Sequence, residues 1–190
     1  MDRSPDTMGK LAESNGKAAP CLAFTILTAV RPGEARGMRW TEVELGDATW
    51  LVPPERMKAG RAHRVPLSAA ALAILADMQV ARRDGAELVL EGGKKDQPLS
   101  DVAVSKTLRA AAGRRDVTVH GCRSSFRDWC DEVASVPTEV AEAALAHVNP
   151  DKTERAYARS DLFERRRELM AAWADHCTKV SGQHGSVPQI

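Results

Sequence analysis

The sequence predicts a mainly α-helical domain of the α+β class, with a small antiparallel β-sheet or hairpin at one edge. Apolar residues recur at helical spacing over most of the 190 residues, whereas the clearest strand-like runs lie between residues 43 and 67. With 43% hydrophobic and 28% charged residues, the composition is that of an ordinary globular protein. A chain of this length fits one domain with its own core.

We expect the folded domain to span residues 18–181. Residues 1–17 are polar and predict a flexible N-terminal segment, and residues 182–190 predict a flexible tail. The longest apolar run, Cys21 to Val30, is too short to cross a bilayer, and the N-terminus lacks a signal-peptide pattern. The four cysteines show no Cys-x-x-Cys spacing, so we expect buried thiols in a reducing cytoplasm rather than disulfides or a metal site.

The helical pattern begins near Ala18. The segment "CLAFTILTAV" is apolar nearly all round, which predicts a buried helix. "RPGEARGM" then begins another helix, with Pro32 in its first turn and Glu34 close behind, as helix N-termini prefer.

A β-hairpin is predicted next. Trp50–Val52 and His63–Val65 have strand character and are joined by a Gly-containing turn, with Lys58 at or near its tip. A helix follows, opened by Ser68 as N-cap and closed by Gly85. "LVL" at 88–90 is compatible with another short strand, and residues 100–112 predict a further helix.

The segment from His120 predicts a helix with one apolar stripe. Its apolar members are Cys122, Phe126, Trp129, Cys130 and Val133. At 100° per residue, His120, Arg123 and Arg127 fall along one edge of that stripe. Further helices are predicted over about 137–146, 152–158 and 161–180, and the last carries a broad apolar stripe that is typical of a core helix.

Charge is distributed unevenly although the net charge is only +1. Residues 105–127 contain six basic residues and one acidic residue, so this stretch carries +5 and the rest of the chain carries −4. One face of a nearly neutral molecule can therefore be strongly cationic.

Several residues fit the chemistry of phosphodiester cleavage, which requires fixed positive donors, an in-line nucleophile and an acid for the leaving oxygen. Arg31 follows the buried helix, His120 and Arg123 lie one turn apart, and His147 precedes the only tyrosine, Tyr157, by ten residues. Taken singly, each is more often a structural or solvent-exposed residue. In combination they favour a functional interpretation.

The motifs around these residues resemble those of the tyrosine recombinases, or phage integrases. "TAVRPGEARGMRW" resembles the first arginine box of that family, and "HGCRSSFRDW" resembles its His-x-x-Arg box. "LAH" followed by "TERAYARS" resembles the later histidine and the nucleophilic tyrosine, and "RMKAGRAHRVPLS" the hairpin that carries a lysine. Each motif is weak alone, but the set covers about residues 18–180 in the family's order.

The resemblance implies the tyrosine-recombinase catalytic-domain fold and a site-specific DNA recombinase of the prophage-integrase type. Tyr157 would attack a DNA phosphate and form a 3'-phosphotyrosyl intermediate. The other implied catalytic residues are Arg31, Lys58, His120, Arg123 and His147. Lys58 would protonate the leaving oxygen, and His120 would assist proton transfer at the tyrosine. Glu34 would orient the site, and no metal, other cofactor or ATP is expected.

The implied partner is double-stranded DNA, bound by a homotetramer when the protein is full length, in the cytoplasm of a bacterium and near its nucleoid. The expected DNA-contacting residues are Arg31, Lys58, Lys106, Arg123 and Arg127. Family members carry a separate N-terminal helical domain that closes around DNA, which we do not expect in this chain. Two alternatives stay open: DNA relaxation of the type IB topoisomerase kind, and a truncated remnant that binds DNA without catalysis.

Two elements have more than one interpretation. His63 lies on a predicted strand, where it is either structural or a DNA contact. The C-terminal helix is either part of the core or a surface that docks on a neighbouring protomer.

Overall fold

The computed structural model describes residues 4–147 and 162–179, which form a mainly helical fold with one small sheet. The helices are α1 (Ser4–Ala12), α2 (Ala18–Thr28), α3 (Pro32–Arg36), α4 (Ala69–Val80), α5 (Asp101–Ala112), α6 (Gly121–Glu132), α7 (Thr138–Ala144) and α8 (Phe163–Thr178). The strands are β1 (Val43–Glu44), β2 (Thr49–Val52) and β3 (His63–Pro66), and single 3-10 turns lie at Trp40–Glu42 and Pro54–Arg56. The predicted fold class is confirmed.

Helix α2 forms the centre of the core. Ten of its eleven residues are buried, and it packs against α1, α3, α4, α5 and α8. The indole Nε1 of Trp173 on α8 donates to the carbonyl of Ile26 at 2.8 Å, which fixes α8 across the C-terminal part of α2. The prediction of a buried helix is therefore confirmed. The contact with Trp173 also fixes the C-terminal end of α2, which leads to Arg31.

The sheet is antiparallel with the strand order β1-β2-β3. Val52 pairs with His63, and both side chains face the core, while Leu51 on the opposite face is 47% exposed. The predicted hairpin is thus confirmed. Strand β1 was not predicted, because two residues carry too little alternation to be recognised. Leu88 makes only an isolated bridge to Arg39, so the suggested strand at 88–90 does not form.

The N-terminal segment differs from the sequence-based expectation. Residues 4–12 form α1, which packs against α2, α5 and α8, and Leu11 is buried. The prediction of a flexible segment over residues 1–17 is therefore wrong for residues 4–12. The segment has too few apolar residues to predict a core helix, but Leu11 is part of the core and Met8 packs against it.

The predicted cap of Ser68 is present, and Ser100 caps the next helix in the same way. Ser68 Oγ accepts from the N–H of Ala71 at 3.3 Å, and Ser100 Oγ accepts from the N–H of Ala103 at 3.1 Å. Helix α4 ends at Val80, well before the glycine expected to close it. Gly85 instead occupies a turn with φ of +62°.

Helices α6 and α8 meet through aromatic rings. Trp173 lies edge-on to Phe126 at 5.4 Å between ring centroids and 5.1 Å from the Trp129 ring. The α6 stripe extends only to Cys130, because Val133 is 65% exposed. The predicted helix at 152–158 lies outside the described residues. Within the described ranges, every helix is too short or too polar to cross a membrane.

Candidate active site

Arg31 lies at the junction between α2 and α3, where its backbone begins α3. The Glu34 carboxylate accepts from the Arg31 backbone N–H at 3.0 Å and from the Arg31 guanidinium at 2.9 Å. Glu34 is 5% exposed and the Arg31 side chain 26% exposed. The buried carboxylate therefore caps α3 and orients the guanidinium together, which fits the orienting role predicted for Glu34.

Arg123 on α6 is buried and joins the ends of two other helices. Its Nη1 donates to the carbonyl of Ala29, and its Nη2 donates to the carbonyl of Leu145 at 2.7 Å. Ala29 is the C-cap of α2 and Leu145 is the C-cap of α7. Because helix C-termini carry partial negative charge and free carbonyls, both ends favour a buried cation at this point.

The guanidiniums of Arg31 and Arg123 are close enough to repel each other. The pKa of Arg123 is lowered to about 10, mainly by burial and then by the positive charge of Arg31, while Glu34 and Glu142 oppose the shift. Arg123 remains a cation at neutral pH. Two neighbouring cations form a site that an anion would stabilise.

His147 follows α7 and hydrogen bonds on both sides of its ring. Its Nε2 lies 3.3 Å from Arg123 Nη2, and its Nδ1 lies 2.6 Å from Glu142 Oε2. A guanidinium can only donate, so Nε2 accepts and Nδ1 carries the proton that is donated to Glu142. The His147 side chain is 46% exposed, so the ring is held in place but is accessible to a ligand.

Glu142 links His147 to α6. Its other oxygen, Oε1, accepts from Arg127 Nε at 2.7 Å. Burial raises the pKa of Glu142, but hydrogen bonds from His147 and Arg127 outweigh it and the net pKa is lowered. The carboxylate therefore stays ionised and fixes the tautomer of His147.

Lys58 lies in the exposed turn between the Pro54–Arg56 3-10 turn and β3. The backbone N–H of Gly60 donates to the carbonyl of Met57 at 2.9 Å and closes the turn, and Gly60 has φ of +63°. Just before the turn, Arg56 Nη2 donates to the backbone carbonyl of Glu34, and Arg56 also pairs with Glu42. Arg56 thereby fastens the lysine hairpin to α3.

His120 precedes α6 and is exposed. Its side chain does not cap the helix, since Thr118 Oγ1 accepts from the N–H of Gly121 at 3.0 Å. Among the described residues, the structure brings Arg31, Arg123 and His147 together, whereas neither His120 nor Lys58 makes a side-chain bond to them. Tyr157 lies outside the described residues.

The described ranges contain no cluster of three or more His, Cys, Asp or Glu side chains that could hold a metal. The cysteines are free thiols, and burial raises the pKa of Cys21 to about 12, of Cys122 to about 11 and of Cys130 to about 12. These three are protonated at neutral pH and unreactive.

Residues 8–163 match the phage integrase family. The chain is 37% identical over 177 residues to prophage integrase IntA of Escherichia coli K12, covering 92% of this chain and 42% of that protein. It is 35% identical over 165 residues to prophage integrase IntZ of the same organism, covering 87% and 40%. The chain belongs to the phage integrase family. It spans about two fifths of the length of these curated relatives.

Solved structures of integrases share the fold. The integrase from mycobacterium phage Brujita has a TM-score of 0.67 at 18% identity, covering 93% of this chain and 59% of that one. The lambda integrase catalytic core has a TM-score of 0.55 at 22% identity, covering 78% of this chain and 91% of that one. A lambda integrase tetramer bound to a Holliday junction has a TM-score of 0.56 at 21% identity, covering 83% and 46%.

Sequence reasoning missed two polar residues of this site, Glu142 and Arg56, each of which contacts an element that carries a predicted site residue. His63, which it left as either structural or a DNA contact, is a buried side chain that is 9% exposed. Glu142 precedes His147 by five residues, a spacing that predicts no contact in a regular helix. The pair forms because the chain turns sharply after α7, where Ala146 has φ of +50°.

His63 should make the free energy of unfolding depend on pH. Burial, then the charge of Arg166, lowers its pKa to about 4; a hydrogen bond to the Ala144 backbone opposes the shift, and the charges of Arg123 and Arg31 add to it. The unfolded chain takes up a proton near pH 6.5 and the folded chain only near pH 4. The free energy of unfolding should therefore decrease by about 3 kcal/mol as the pH is lowered from 6.5 to 4, because only the unfolded chain gains a proton in this range.

Urea unfolding at several pH values measures this loss. The matched variant is His63→Leu, which removes the titrating group and should give a shallower fall between pH 6.5 and 4 than the unchanged chain. Equal slopes for the two proteins would contradict the prediction.

Proposed function

We propose that this chain is the catalytic portion of a site-specific DNA recombinase, which cleaves and rejoins DNA through a 3'-phosphotyrosyl intermediate. The observation that carries the proposal is the convergence of Arg31, Arg123 and His147 from three separate parts of the chain. They form a cationic site, with one imidazole accessible beside it, in a member of the phage integrase family. Such a site complements the charge that develops on a phosphate during transfer.

The proposed reaction has a nucleophile, a base and an acid. The Tyr157 phenol gives its proton to His120 as its oxygen bonds to phosphorus, and the bond from phosphorus to the 5' oxygen breaks. That oxygen takes a proton from Lys58. A phenol with a pKa of about 10 is only about 0.1% ionised at neutral pH, so neighbouring cations and a base are needed. Rejoining is the reverse, and the ester conserves the bond energy without ATP.

We propose that DNA also follows the cationic surface at the end of α5. Lys106, Arg109 and Arg115 are exposed there and line or border a concave surface. Arg114 is paired with Asp116, and Arg127 with Asp131 and Glu142, so their charges are partly neutralised. Contacts of this kind recognise phosphates, depend on salt and are largely independent of sequence.

The complete protein is proposed to act as a tetramer on paired sites in the cytoplasm. This rests on the family and on the lambda integrase tetramer bound to a Holliday junction. The predicted DNA contacts of Arg31, Lys58, Lys106, Arg123 and Arg127 belong to the same proposal.

Capture on a nicked suicide duplex tests the function. Loss of a short 5'-hydroxyl fragment from such a duplex prevents rejoining, so an active protein accumulates as a covalent complex on denaturing gels. We expect capture at low salt and high protein concentration, with DNA attached to the peptide that contains Tyr157. A duplex without the nick is the control. If no covalent complex forms while DNA is bound, the chain is a non-catalytic DNA-binding remnant and the proposal fails.

Lys58→Ala is expected to slow cleavage by about 10²–10⁴-fold, because the leaving oxygen loses its acid. A substrate with sulfur in place of the 5' oxygen should restore most of the rate, since a thiol with a pKa of about 8.5 leaves without protonation. Gel assays of both substrates measure the rates. Arg61→Ala, in the same hairpin and also exposed, is the matched control. If sulfur gives Lys58→Ala no recovery, the lysine has another role.

A further inference from the structure

The side chain of Arg56 lies between the lysine hairpin and helix α3. Its Nη2 donates to the backbone carbonyl of Glu34, and its Nη1 donates to the carboxylate of Glu42. The side chain is 20% exposed, and both terminal nitrogens bond within the protein. An arginine that serves to bind phosphate would direct these nitrogens toward solvent, so contact with DNA does not explain Arg56.

The Glu42 carboxylate that receives this guanidinium is fixed to the core. Its side chain is 9% exposed, and Oε2 also accepts from the indole Nε1 of Trp50 at 3.0 Å and from the backbone N–H of Arg39 at 3.1 Å. Trp50 is fully buried and packs against Phe24 of α2, with 5.7 Å between the ring centroids. Arg56 is therefore held by a group that is itself immobilised.

Helix α3 provides the second contact of Arg56. In a regular helix the carbonyl of Glu34 would accept from the N–H of Met38, but that N–H donates to the carbonyl of Ala35 at 3.1 Å. Arg56 supplies a donor to the Glu34 carbonyl instead. Gly37 leaves room for the guanidinium, because a Cβ at this position would lie 3.0 Å from Nη2 of Arg56. The end of α3 is thus shaped to receive an arginine.

Glu34 connects two predicted catalytic residues through this contact. Its carboxylate accepts from the Arg31 guanidinium at 2.9 Å, and its backbone carbonyl accepts from Arg56. Met57, the next residue in the chain, is buried, and Lys58 begins the exposed part of the turn. The turn is therefore anchored at its base, two residues before the lysine, and open to a ligand at its tip.

We propose that Arg56 and Glu42 are positioning residues of the active site, which hold the base of the Lys58 turn in a fixed place relative to Arg31 and so direct the lysine to the leaving oxygen. This inference rests on the proposed function. Arg56 acts through Lys58 rather than on the phosphate. A displacement of about 1 Å in a catalytic group can cost about 10²-fold in rate, so the pair contributes to one step, protonation of the 5' oxygen.

A substrate with sulfur in place of the 5' oxygen isolates this step, since its leaving group needs no acid. Arg56→Gln cannot bond to both anchors, so it should cleave the oxygen substrate at least about 10-fold more slowly than the unchanged chain, and the sulfur substrate within about 3-fold. Glu42→Gln should show a smaller loss of the same kind. Arg36→Gln is the matched control, because Arg36 on α3 is 24% exposed and donates to the carbonyl of Leu99 at 2.9 Å. Any loss in this control should be equal for the two substrates.

The combination of Arg56→Gln with Lys58→Ala gives a second readout. If Arg56 acts only through the lysine, the double variant should cleave the oxygen substrate within about 3-fold of Lys58→Ala alone. Losses that multiply would overturn the proposal, and so would an Arg56→Gln loss that sulfur does not relieve. In either case Arg56 would support the fold or the phosphate instead of the acid.

Limited digestion with a lysine-specific endoproteinase tests the Arg56–Glu42 pair without DNA. The rate of cleavage after Lys58, relative to cleavage after Lys106 on α5, should rise at least about 5-fold in Arg56→Gln and stay unchanged in Arg36→Gln, because only the turn is released. An unchanged ratio in Arg56→Gln, including an equal rise at both lysines, would overturn the proposal. If the unchanged chain captures no DNA, the proposed function fails, whereas the digestion still tests whether the pair holds the turn.

Discussion

Tyr157→Phe is expected to abolish covalent capture of DNA, with a loss of at least about 10⁴-fold, because the side chain that forms the phosphotyrosyl bond loses its oxygen. Phenylalanine keeps the ring and removes only the hydroxyl, so DNA affinity should change by less than about 3-fold. Denaturing gels after incubation with the nicked suicide duplex measure capture. Gel shifts at low salt measure binding.

The chain provides its own control for this experiment, since Tyr157 is the only tyrosine. Any covalent complex formed by Tyr157→Phe must use another type of nucleophile, and this outcome would contradict the proposed mechanism.

Arg123→Leu is expected to lower both stability and cleavage. The leucine fills the space but removes the guanidinium that donates to the carbonyls of Ala29 and Leu145 at two helix ends. Each buried unsatisfied acceptor costs about 1–3 kcal/mol, so the free energy of unfolding should fall by about 2–5 kcal/mol. Urea unfolding measures this loss. Covalent capture should be undetectable.

Arg123→Lys separates the two roles. The ammonium keeps the charge but lacks the planar fork, so it cannot reach both carbonyls and a phosphate together. We expect a smaller loss of stability and a reduction in cleavage of about 10²–10³-fold. Arg83→Leu, a half-buried arginine paired with Glu91, should change stability by less than about 1 kcal/mol. Cleavage by Arg123→Lys at the unchanged rate would contradict a role in phosphate activation.

Most helices and the hairpin were predictable because their signals are local. The apolar composition of α2, the serine caps of α4 and α5 and the alternation in β2 and β3 all lie within a few residues of one another. Where the local signal is weak, prediction failed. The α1 segment and β1 owe their structure to the elements they pack against or pair with.

The candidate site divides in the same way. Arg31, Lys58, His120, Arg123, His147 and Tyr157 were predicted from the ordered family motifs, and Glu34 from the acidic position that follows the first arginine of that family. Their contacts could not be predicted from spacing. Arg123 donates to the carbonyls of Ala29 and Leu145, which are 94 and 22 residues away in the chain. Because every residue has a backbone carbonyl, no sequence pattern could predict which two carbonyls Arg123 contacts.

The sequence by itself determined the class of fold, the family motifs and the side chains able to carry the chemistry, since these depend on residue type and order. Only the tertiary structure decided that Arg123 closes the ends of two helices, that Glu142 fixes the tautomer of His147 and that His63 is buried among guanidiniums. Burial and the proximity of charges arise from the packing of distant segments. They set the hydrogen bonding and pKa of each group, and therefore what each residue can do.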